Sequence, residues 1–395
     1  MADLLAWIDE ELAALDERGL RRRAAIRRGP QAATIVIDGH HGVNFGSNDY
    51  LGLAADPRLA EAVVTAVRHE GWGAGASPLV TGRAEEHRRL ETRLAEFEHT
   101  EAAALFPSGF AANAGTVAAL AGPGDVVLAD SKNHASLWDG CRLSRADVRT
   151  YPHGDVDRLA RLLIRCRSYR RRLIVTDALF SMDGDLAPLP ELSELAERHE
   201  AMLLVDEAHA TGVFGGRGRG VAEQLGVEER VHVRVGTLSK ALGSMGGFVA
   251  GSRRLIDWLR NRARPYVYST AAPAAVAAAG VAALDALAHE PNGGKELLLR
   301  AERLRASLAA RGWNTGLSAS QIIPLTVGCP ERAVALSAAL WSRGLFVPAI
   351  RPPTVPVGEA CLRISLCAGH TPQMVEALLD ALHEHRPPKS TGRQR

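Results

Sequence analysis

Between about Leu90 and Val249, short and continuous apolar segments alternate with helical patterns. Strands that read as continuous apolar runs are typical of sheets that are buried on both faces and joined by helical crossovers. The segments lie at residues 102–106, 125–129, 171–179, 201–207, 232–238 and 246–251. They predict a mostly parallel sheet of the α/β class, in which a ligand would lie beyond the carboxyl ends of the strands.

Residues outside this region predict two further parts. Apolar residues from Leu4 to Leu15 follow helical spacing, which predicts an amphipathic helix near the N-terminus. Residues 289–296 indicate a helix boundary or a linker, and the α+β pattern after them is typical of a small second domain. We therefore expect an N-terminal helix and arm over residues 1–45, a large α/β domain over residues 46–285 and a smaller C-terminal α+β domain over residues 286–390.

The composition argues against several classes of protein. The chain has 47 basic and 45 acidic residues, so its net charge of +2 creates no field that favours nucleic acid. No apolar run is long enough to span a membrane, and no cysteine–histidine cluster has zinc spacing, so neither a membrane segment nor a metal is expected. Five cysteines without a C-x-x-C pair indicate reduced thiols. The acidic N-terminus lacks transit-peptide and signal-peptide patterns, so we expect a cytoplasmic protein.

The sequence Asp-Glu-Ala-His at 206–209 follows an apolar strand and has the spelling of a helicase Walker B motif. A Walker B acid acts together with a lysine in the pattern G-x-x-x-x-G-K-[ST]. The lysines are Lys132, Lys240, Lys295 and Lys389, and none has this context. The sequence also has no G-x-S-x-G hydrolase motif, and its glycine-rich stretch at 71–76 follows no apolar strand. An ATPase and a hydrolase are therefore excluded, and the evidence for a dinucleotide site is weak.

Chemically active side chains follow two of the predicted strands. Lys240 comes directly after one apolar strand, and a desolvated lysine there has a lowered pKa and can form a Schiff base. Asp206 and His209 come after another, and a carboxylate in that place can keep a pyridine nitrogen protonated. The hydroxyls of Thr237 and Ser239 stand at an expected helix start, which suits phosphate. Together these groups predict a pyridoxal 5'-phosphate (PLP) site.

Each of these residues also has an ordinary structural explanation. Taken alone, Lys240 is better explained as a strand-end lysine exposed to solvent and Asp206 as a helix N-cap. His209 alone is more often a buried structural histidine. Their combination in one region favours a functional interpretation of Lys240.

Two further segments have equally open explanations. Residues 106–115 predict a glycine turn that opens a helix, with donors for a second phosphate contact or with no ligand at all. The donors would be Ser108, Gly109 and Phe110. His134 follows the strand at 125–129, where an imidazole suits stacking on a flat ring but is also an ordinary turn residue.

Eight segments in consistent order resemble the α-oxoamine synthases, a family of PLP-dependent enzymes of fold type I. They are FGSNDYLGL, FPSGFAAN, NHASLWDGCRLSRA, FSMDGDLAPL, VDEAHATGVFG, GTLSKALGSMGG, YVYST and RPPTVPVGEACLRISL. The resemblance extends from about Arg21 to Arg363. It implies an aspartate aminotransferase-like fold with a large, mostly parallel sheet domain and a smaller α+β C-terminal domain, PLP as the cofactor, and a homodimer.

The segment IRPPTVP at 350–356 is most similar to family members that join L-alanine to a pimeloyl thioester with loss of CO2, in the synthesis of biotin. The carrier of the pimeloyl group would be coenzyme A or acyl carrier protein. Relatives that use glycine and another acyl thioester are the first alternative. A PLP-fold module without catalytic activity is the second.

The resemblance also implies a role for each matched residue. Lys240 would hold the cofactor and take the α-proton, and Asp206 would pair with the pyridine nitrogen. His209 would contact the phenolic oxygen of the ring, and His134 would stack on the ring face beside the substrate. The other implied contacts are Ser181, Thr237, Gly109 and Phe110 with the cofactor, Ser269 and Thr270 with the neighbouring subunit's cofactor, Asn48 and Arg363 with the amino acid's carboxylate, and Arg21 and Thr354 with the acyl substrate.

The binding partners of several arginines stay open. Arg363 lies in an apolar strand pattern, so it needs an anion, either a substrate carboxylate or an internal acid. The sequence does not distinguish Arg21 from Arg22 and Arg23, and a solvated basic helix end explains them equally.

Residues 73–82 depart from the family's usual glycine-rich loop. Because this loop contains a proline, we expect a stiffer segment and an altered entrance for the acyl chain.

Overall fold

The structure is a computed structural model that describes residues 3–22 and 24–385. Arg23 and residues 386–390 of the predicted C-terminal domain therefore lie outside the described residues. The chain forms two compact units. We call Asn48–Ser181 with Asp185–Leu298 the sheet unit, and the described parts of Met1–Ser47, Met182–Gly184 and Leu299–Arg395 the terminal unit. The three predicted domain ranges stay a prediction, because compactness alone does not show that a segment folds as a domain.

The strands are numbered along the chain. They are β1 (Arg27–Arg28), β2 (Thr34–Ile37), β3 (His40–Asn44), β4 (Ala102–Phe106), β5 (Val126–Asp130), β6 (Asp147–Tyr151), β7 (Arg172–Asp177), β8 (Met202–Asp206), β9 (Val233–Thr237), β10 (Gly247–Gly251), β11 (Ile322–Gly328), β12 (Leu345–Phe346), β13 (Ala349–Ile350) and β14 (Ala360–Ser365). Each of the six predicted apolar segments forms one of these strands.

The helices are numbered in the same way. They are α1 (Ala6–Glu17), α2 (Pro57–Glu70), α3 (Glu85–Phe97), α4 (Gly109–Leu120), α5 (Ala135–Ser144), α6 (Val156–Arg165), α7 (Leu189–Arg198), α8 (Val221–Gln224), α9 (Arg253–Arg262), α10 (Arg264–Val267), α11 (Ala274–His289), α12 (Gly293–Ala310), α13 (Pro330–Trp341) and α14 (Pro372–Glu384). Within the described residues, none of them is long and apolar enough to cross a membrane.

The sheet unit is built on a seven-stranded sheet with the order β4-β10-β9-β8-β7-β5-β6. The strands from β9 to β6 pair in parallel, whereas β10 is antiparallel to both of its neighbours. This arrangement confirms the predicted fold class, a mostly parallel α/β sheet. Because the central strands run in one direction, their carboxyl ends all lie at one edge of the sheet.

Both faces of this sheet are covered by apolar side chains. In β4, Ala102 and Ala104 pack into a core formed with α4, α5 and α9, while Ala103 packs into a second core formed with α3 and α11. Alternate residues of a strand point to opposite faces, so a strand between two cores carries mostly apolar side chains on both faces. This is why the central strands read as nearly continuous apolar runs.

The terminal unit holds two small sheets, with the orders β1-β2-β3-β12 and β11-β14-β13. The predicted N-terminal helix is present as α1, and none of its side chains is buried. The apolar pattern around Arg363 forms β14, which pairs antiparallel with β11. The α+β character that the sequence predicts for the C-terminal part is therefore confirmed.

Candidate functional site

Acidic side chains end three neighbouring strands of the large sheet. Asp130 ends β5, Asp177 ends β7 and Asp206 ends β8, and Asp177 and Asp206 stand opposite each other in the parallel register. All three are buried. The fold therefore gathers negative charge at the edge where α/β sheets bind their ligands.

The carboxylate of Asp206 is only 5% exposed and is held by two N–H groups. Asn113 Nδ2 donates to its Oδ2 at 2.6 Å, and the Ala208 amide donates to its Oδ1 at 2.8 Å. Asn113 lies one turn into α4, so it was not among the predicted site residues although it ends the quoted FPSGFAAN segment. This contact fixes the orientation of the acid that the sequence assigns to a pyridine nitrogen.

Asp177 is a second acid of the site, and the sequence reasoning did not assign it a role. Burial, together with the negative charge of Asp206, raises its pKa well above the ordinary value of 3.8. Its Oδ2 accepts the backbone N–H of His134 at 2.7 Å. Asp177 therefore anchors the segment that carries His134.

His134 caps the N-terminus of α5. Its Nδ1 is 2.7 Å from Ser136 Oγ, and that hydroxyl also accepts from Asn113 Nδ2 at 2.9 Å. Because the hydroxyl hydrogen is then available to Nδ1, the network assigns the proton of the neutral ring to Nε2. Burial lowers the pKa of His134; the charge of Asp206 opposes this and that of Lys240 adds to it. A neutral ring beside Asp206 and Lys240 suits stacking on a flat cofactor.

Lys240 lies in a turn after β9. The sequence predicted a helix start here, and that prediction is wrong: Gly243 and Gly246 adopt positive φ angles of 62° and 116°, and the chain turns back into β10. Hydroxyls tie the turn together, since Thr237 Oγ1 donates to the Gly246 carbonyl at 2.7 Å and Gly246 N–H donates to Ser239 Oγ at 3.1 Å. The turn thus gives Lys240 a defined position, close enough to His134 and Asp177 for its charge to favour a lower pKa in both.

The helix N-terminus next to this turn belongs to α4. Ser108 caps it by accepting the Ala111 N–H at 3.0 Å. A Cβ atom added to Gly109 would lie 3.3 Å from Thr237 Cβ, so the glycine permits a close approach of helix and turn. Phe110, the next residue, is exposed. The structure therefore brings Ser108, Gly109 and Thr237 together, as the phosphate prediction requires.

His209 is linked to a tyrosine that the sequence reasoning missed. The Tyr50 hydroxyl is 2.7 Å from His209 Nδ1 and donates to Asn48 Oδ1 at 3.2 Å. Tyr50 is fully buried. It lies in the quoted FGSNDYLGL segment, which was the available signal. The contact joins Asn48, predicted to bind the amino acid, to His209, predicted to bind the cofactor.

Three other predicted residues also lie in the sheet unit. Ser181 follows β7 and is half-buried. Ser269 and Thr270 follow α10 and line a cavity with Arg83 and His87. Their implied contact with a partner subunit stays a prediction.

The loop at residues 73–82 forms a single wide helical turn from Pro78 to Gly82. Gly82 N–H donates to the Ser77 carbonyl at 3.0 Å. A Cβ atom added to Gly82 would lie 2.1 Å from the Ala76 carbonyl oxygen, so the turn tolerates only glycine there. The predicted effect of this loop on the acyl entrance stays a prediction.

The remaining predicted residues belong to the terminal unit. Arg21 forms an exposed ion pair with Asp16 at 2.6 Å, whereas Arg22 Nη2 is the group that reaches Thr354 Oγ1, at 3.3 Å. Arg363 is buried in β14, and its Nη1 donates to Ser365 Oγ at 2.9 Å. The structure thus pairs Thr354 with Arg22 rather than with Arg21.

These residues fit PLP. Asp206 is a buried carboxylate that suits a pyridinium N–H, and Lys240 supplies an amine whose charge, like that of Asp206, acts on His134. The N-terminus of α4, with glycine at its first position, offers backbone N–H groups to a phosphate. The neutral His134 supplies a flat ring on which the charges of Asp206 and Lys240 both act.

Comparison with known families agrees with this fit. The family described as aminotransferase class I and II matches residues 40–382. This chain belongs to that family. The match confirms the predicted cofactor, pyridoxal 5'-phosphate, and the predicted fold type.

Comparison with individual relatives shows which members of the family this chain is similar to. An 8-amino-7-oxononanoate synthase of Anaeromyxobacter dehalogenans (strain 2CP-1) is 52% identical over 96% of this chain and 95% of its own length. Another, from Symbiobacterium thermophilum, is 45% identical over 96% of this chain and 97% of its own length. The chain is therefore a relative of the 8-amino-7-oxononanoate synthases, which confirms the branch of the family that the sequence resembled.

Solved structures of PLP-dependent enzymes share the fold of this chain. Serine palmitoyltransferase from S. paucimobilis, solved with a PLP–myriocin adduct, has a TM-score of 0.92 at 32% identity and covers 97% of this chain and 98% of its own. The 8-amino-7-oxononanoate synthase of Francisella tularensis has a TM-score of 0.76 at 27% identity, covering 87% and 97%.

Proposed function

We propose that this chain condenses L-alanine with a pimeloyl thioester to give 8-amino-7-oxononanoate, CO2 and the free carrier, in the synthesis of biotin. One observation carries the proposal: Asp206, His134 and Lys240 converge at the carboxyl edge of the sheet, in a chain about half identical to synthases of that name. The carrier would be coenzyme A or acyl carrier protein. The predicted cytoplasmic location stays a prediction.

The cofactor, when bound, supplies a ring that accepts the electron pair released at the α-carbon of the amino acid. Asp206, oriented by Asn113, would hold a proton at the pyridine nitrogen. His134, in its neutral form, would stack on the ring. Lys240 would hold the cofactor through Nζ and would take the α-proton of alanine with the same atom.

The groups around these residues position and select the reactants. His209 would contact the phenolic oxygen, and Tyr50, which also reaches Asn48, fixes its position. The N-terminus of α4 and the turn after β9 would hold the phosphate; Ser108, Gly109, Phe110, Thr237 and Ser239 lie there. Ser181 would contact the ring. In the terminal unit, Arg363 would bind the carboxylate of alanine, and Arg21 and Thr354 would bind the acyl substrate.

The test is release of CO2 from carboxyl-labelled alanine by purified PLP-loaded enzyme across a panel of acyl thioesters. We expect turnover with pimeloyl-coenzyme A or pimeloyl acyl carrier protein and much less with shorter or longer chains. Glycine replaces alanine in a parallel series. Faster turnover with glycine would move the chain to the glycine-using relatives, and a yellow protein inert toward every amino acid would support a non-catalytic module.

The proposed homodimer is tested by subunit complementation. In this proposal Thr270, with Ser269, reaches the phosphate of the partner's cofactor, whereas Lys240 acts within its own subunit. Inactive Lys240→Ala and weakly active Thr270→Ala chains, unfolded and refolded together, should therefore form hybrids with one intact site and regain activity. If the mixture is no more active than the two variants refolded separately, Thr270 does not act across subunits.

A further inference from the structure

His153, two residues after β6, contacts carboxylates from two other segments. Its Nδ1 is 3.0 Å from Asp130 Oδ1, and its Nε2 is 2.8 Å from Asp185 Oδ2. The ring stands edge-on to Phe180, with 4.3 Å between centroids and an interplanar angle of 83°. The next residue, Gly154, donates its N–H to Asp130 Oδ2 at 2.9 Å. The imidazole is therefore held on three sides.

The geometry requires a charged ring. An ionised carboxylate accepts hydrogen bonds and cannot donate them, so both ring nitrogens of His153 must carry hydrogen, which makes an imidazolium. Asp130 is 2% exposed and Asp185 is 9% exposed, so both need a partner of opposite charge. Oδ1 of Asp185 is buried and has no hydrogen-bond partner within the part of the chain that the structure describes. Asp185 thus depends on the contact with His153.

The two carboxylates belong to loops that carry predicted site residues. Asp130 ends β5, and its Oδ1 also accepts the Lys132 N–H at 2.8 Å, at the start of the loop that leads to His134. Asp185 follows β7, and its carbonyl accepts the Phe180 N–H at 3.0 Å, next to Ser181. The side chain of His153 therefore connects the two loops.

From this geometry we propose that His153 is a positioning residue: its imidazolium joins the loop before His134 to the loop that carries Ser181. It acts through these two residues and does not take part in the chemistry. The inference rests on the proposed function for the roles of His134 and Ser181. The connection itself is a property of the protein and is measured without substrate.

The charge of His153 persists at neutral pH. Burial alone would lower its pKa, but the hydrogen bonds and charges of Asp130 and Asp185 outweigh burial and raise the pKa to about 9. These two acids come from β5 and from the loop after β7, so they act on the ring from two different segments. The connection is therefore complete at pH 7.

The test is hydrogen exchange, followed by mass spectrometry, on PLP-loaded His153→Asn. We expect faster exchange at residues 131–136 and at residues 178–186, with the rest of the large sheet unchanged. The absorption spectrum of the bound cofactor should titrate differently from that of wild type, because His134 and Ser181 shift beside it. Turnover should fall about tenfold through kcat, with KM for the thioester nearly constant.

A second variant and a control make the outcome decisive. Asp185→Asn keeps the size of the side chain but loses its charge, so exchange should rise only at residues 178–186. His232→Asn removes a histidine before the amino end of β9, where Nδ1 accepts the Leu203 N–H, and should change neither loop. Unchanged exchange in both loops of His153→Asn, or an equal rise throughout the sheet unit, would overturn the inference. If His153→Asn loses exchange protection in both loops but the wild-type enzyme releases no CO2, the positioning role of His153 stands and only the proposed function is contradicted.

Discussion

Buried acids at the two ends of the large sheet have pKa values that are shifted in opposite directions. At the amino end, Asp125 is 1% exposed and accepts hydrogen bonds from Arg170 at 2.9 Å and Arg171 at 2.7 Å. Burial alone would raise its pKa, but the two guanidinium groups hold it well below the ordinary range. At the carboxyl end, Asp177 lies opposite Asp206, and its pKa is raised instead.

The difference separates stability from function. An acid whose partners are permanent arginines stabilises the fold, because its charge is compensated in every functional state. Two acids packed against each other destabilise the fold unless a ligand or a proton compensates them, and such clusters are typical of functional sites. We therefore expect substitutions at the amino end to change the free energy of unfolding and those at the carboxyl end to change catalysis.

The largest effect is expected for Lys240→Ala. Without the amine, the cofactor has no covalent anchor and the α-proton has no base, so CO2 release should fall at least about 10⁴-fold. After borohydride reduction, mass spectrometry should find the cofactor on the peptide that contains residue 240 in wild type and not in the variant. Lys295→Ala, an exposed lysine in α12, is the matched control. Normal turnover in Lys240→Ala would remove the basis of the proposed function.

The pair Asp206→Asn and Asp125→Asn tests the comparison directly. Asp206→Asn keeps the shape but loses the charge opposite the pyridine nitrogen, so kcat should fall roughly 10²–10⁴-fold with little change in stability. Asp125→Asn weakens two charged hydrogen bonds, so the free energy of unfolding should fall by about 2 kcal/mol while kcat stays within about twofold. Denaturant titration and the CO2 assay measure the two quantities. If both variants lose activity equally at equal stability, the two ends of the sheet do not differ as we propose.

The fold was largely predictable because a buried strand has an apolar sequence that can be recognised without knowing its partners. Each central strand lies between two cores, so it reads as an apolar run wherever it stands. The edge strand β6 was not among the predicted strands, because one side of it faces solvent and its sequence Asp-Val-Arg-Thr-Tyr has no such run. The helix expected after Lys240 failed because glycines with positive φ turn the chain, and glycine in sequence does not reveal its φ.

Residues of the candidate site could be proposed from the sequence where the signal is local. Lys240 and Asp206 were proposed because each comes at the end of an apolar strand. Asn113 and Tyr50 were not found, because their roles depend on partners 93 and 159 residues away in sequence. No local pattern encodes such distant contacts.

The histidines at the two ends should differ in how stability depends on pH. The pKa of His153, at the carboxyl end, is raised from 6.5 to about 9, so its stabilisation is complete below pH 6.5 and is lost as the pH rises through about 9. Burial lowers the pKa of His232, at the amino end, so its contribution is constant over that range. Between pH 7 and pH 10, wild type should lose on the order of 2 kcal/mol more than His153→Asn. Thermal unfolding across this range measures the difference. His232→Asn should follow wild type, and parallel curves for wild type and His153→Asn would show that the ring is not charged.

The smallest effect is expected for Tyr50→Phe. The hydroxyl contacts His209 Nδ1 and donates to Asn48, so its loss frees the imidazole to rotate and should lower kcat about fivefold, the value of one neutral hydrogen bond. The spectrum of the bound cofactor should shift as well, because His209 contacts the phenolic oxygen in the proposed site. Tyr169→Phe is the counterpart at the amino end, where the hydroxyl donates to Asp147 at the start of β6. That variant should leave both kcat and the spectrum unchanged, because Asp147 lies at the amino end of the sheet, away from the proposed cofactor site. An equal spectral shift in Tyr169→Phe and Tyr50→Phe would mean that hydroxyl contacts at both ends of the sheet affect the bound cofactor. The division of the sheet into a stabilising end and a functional end would then hold only for charged residues.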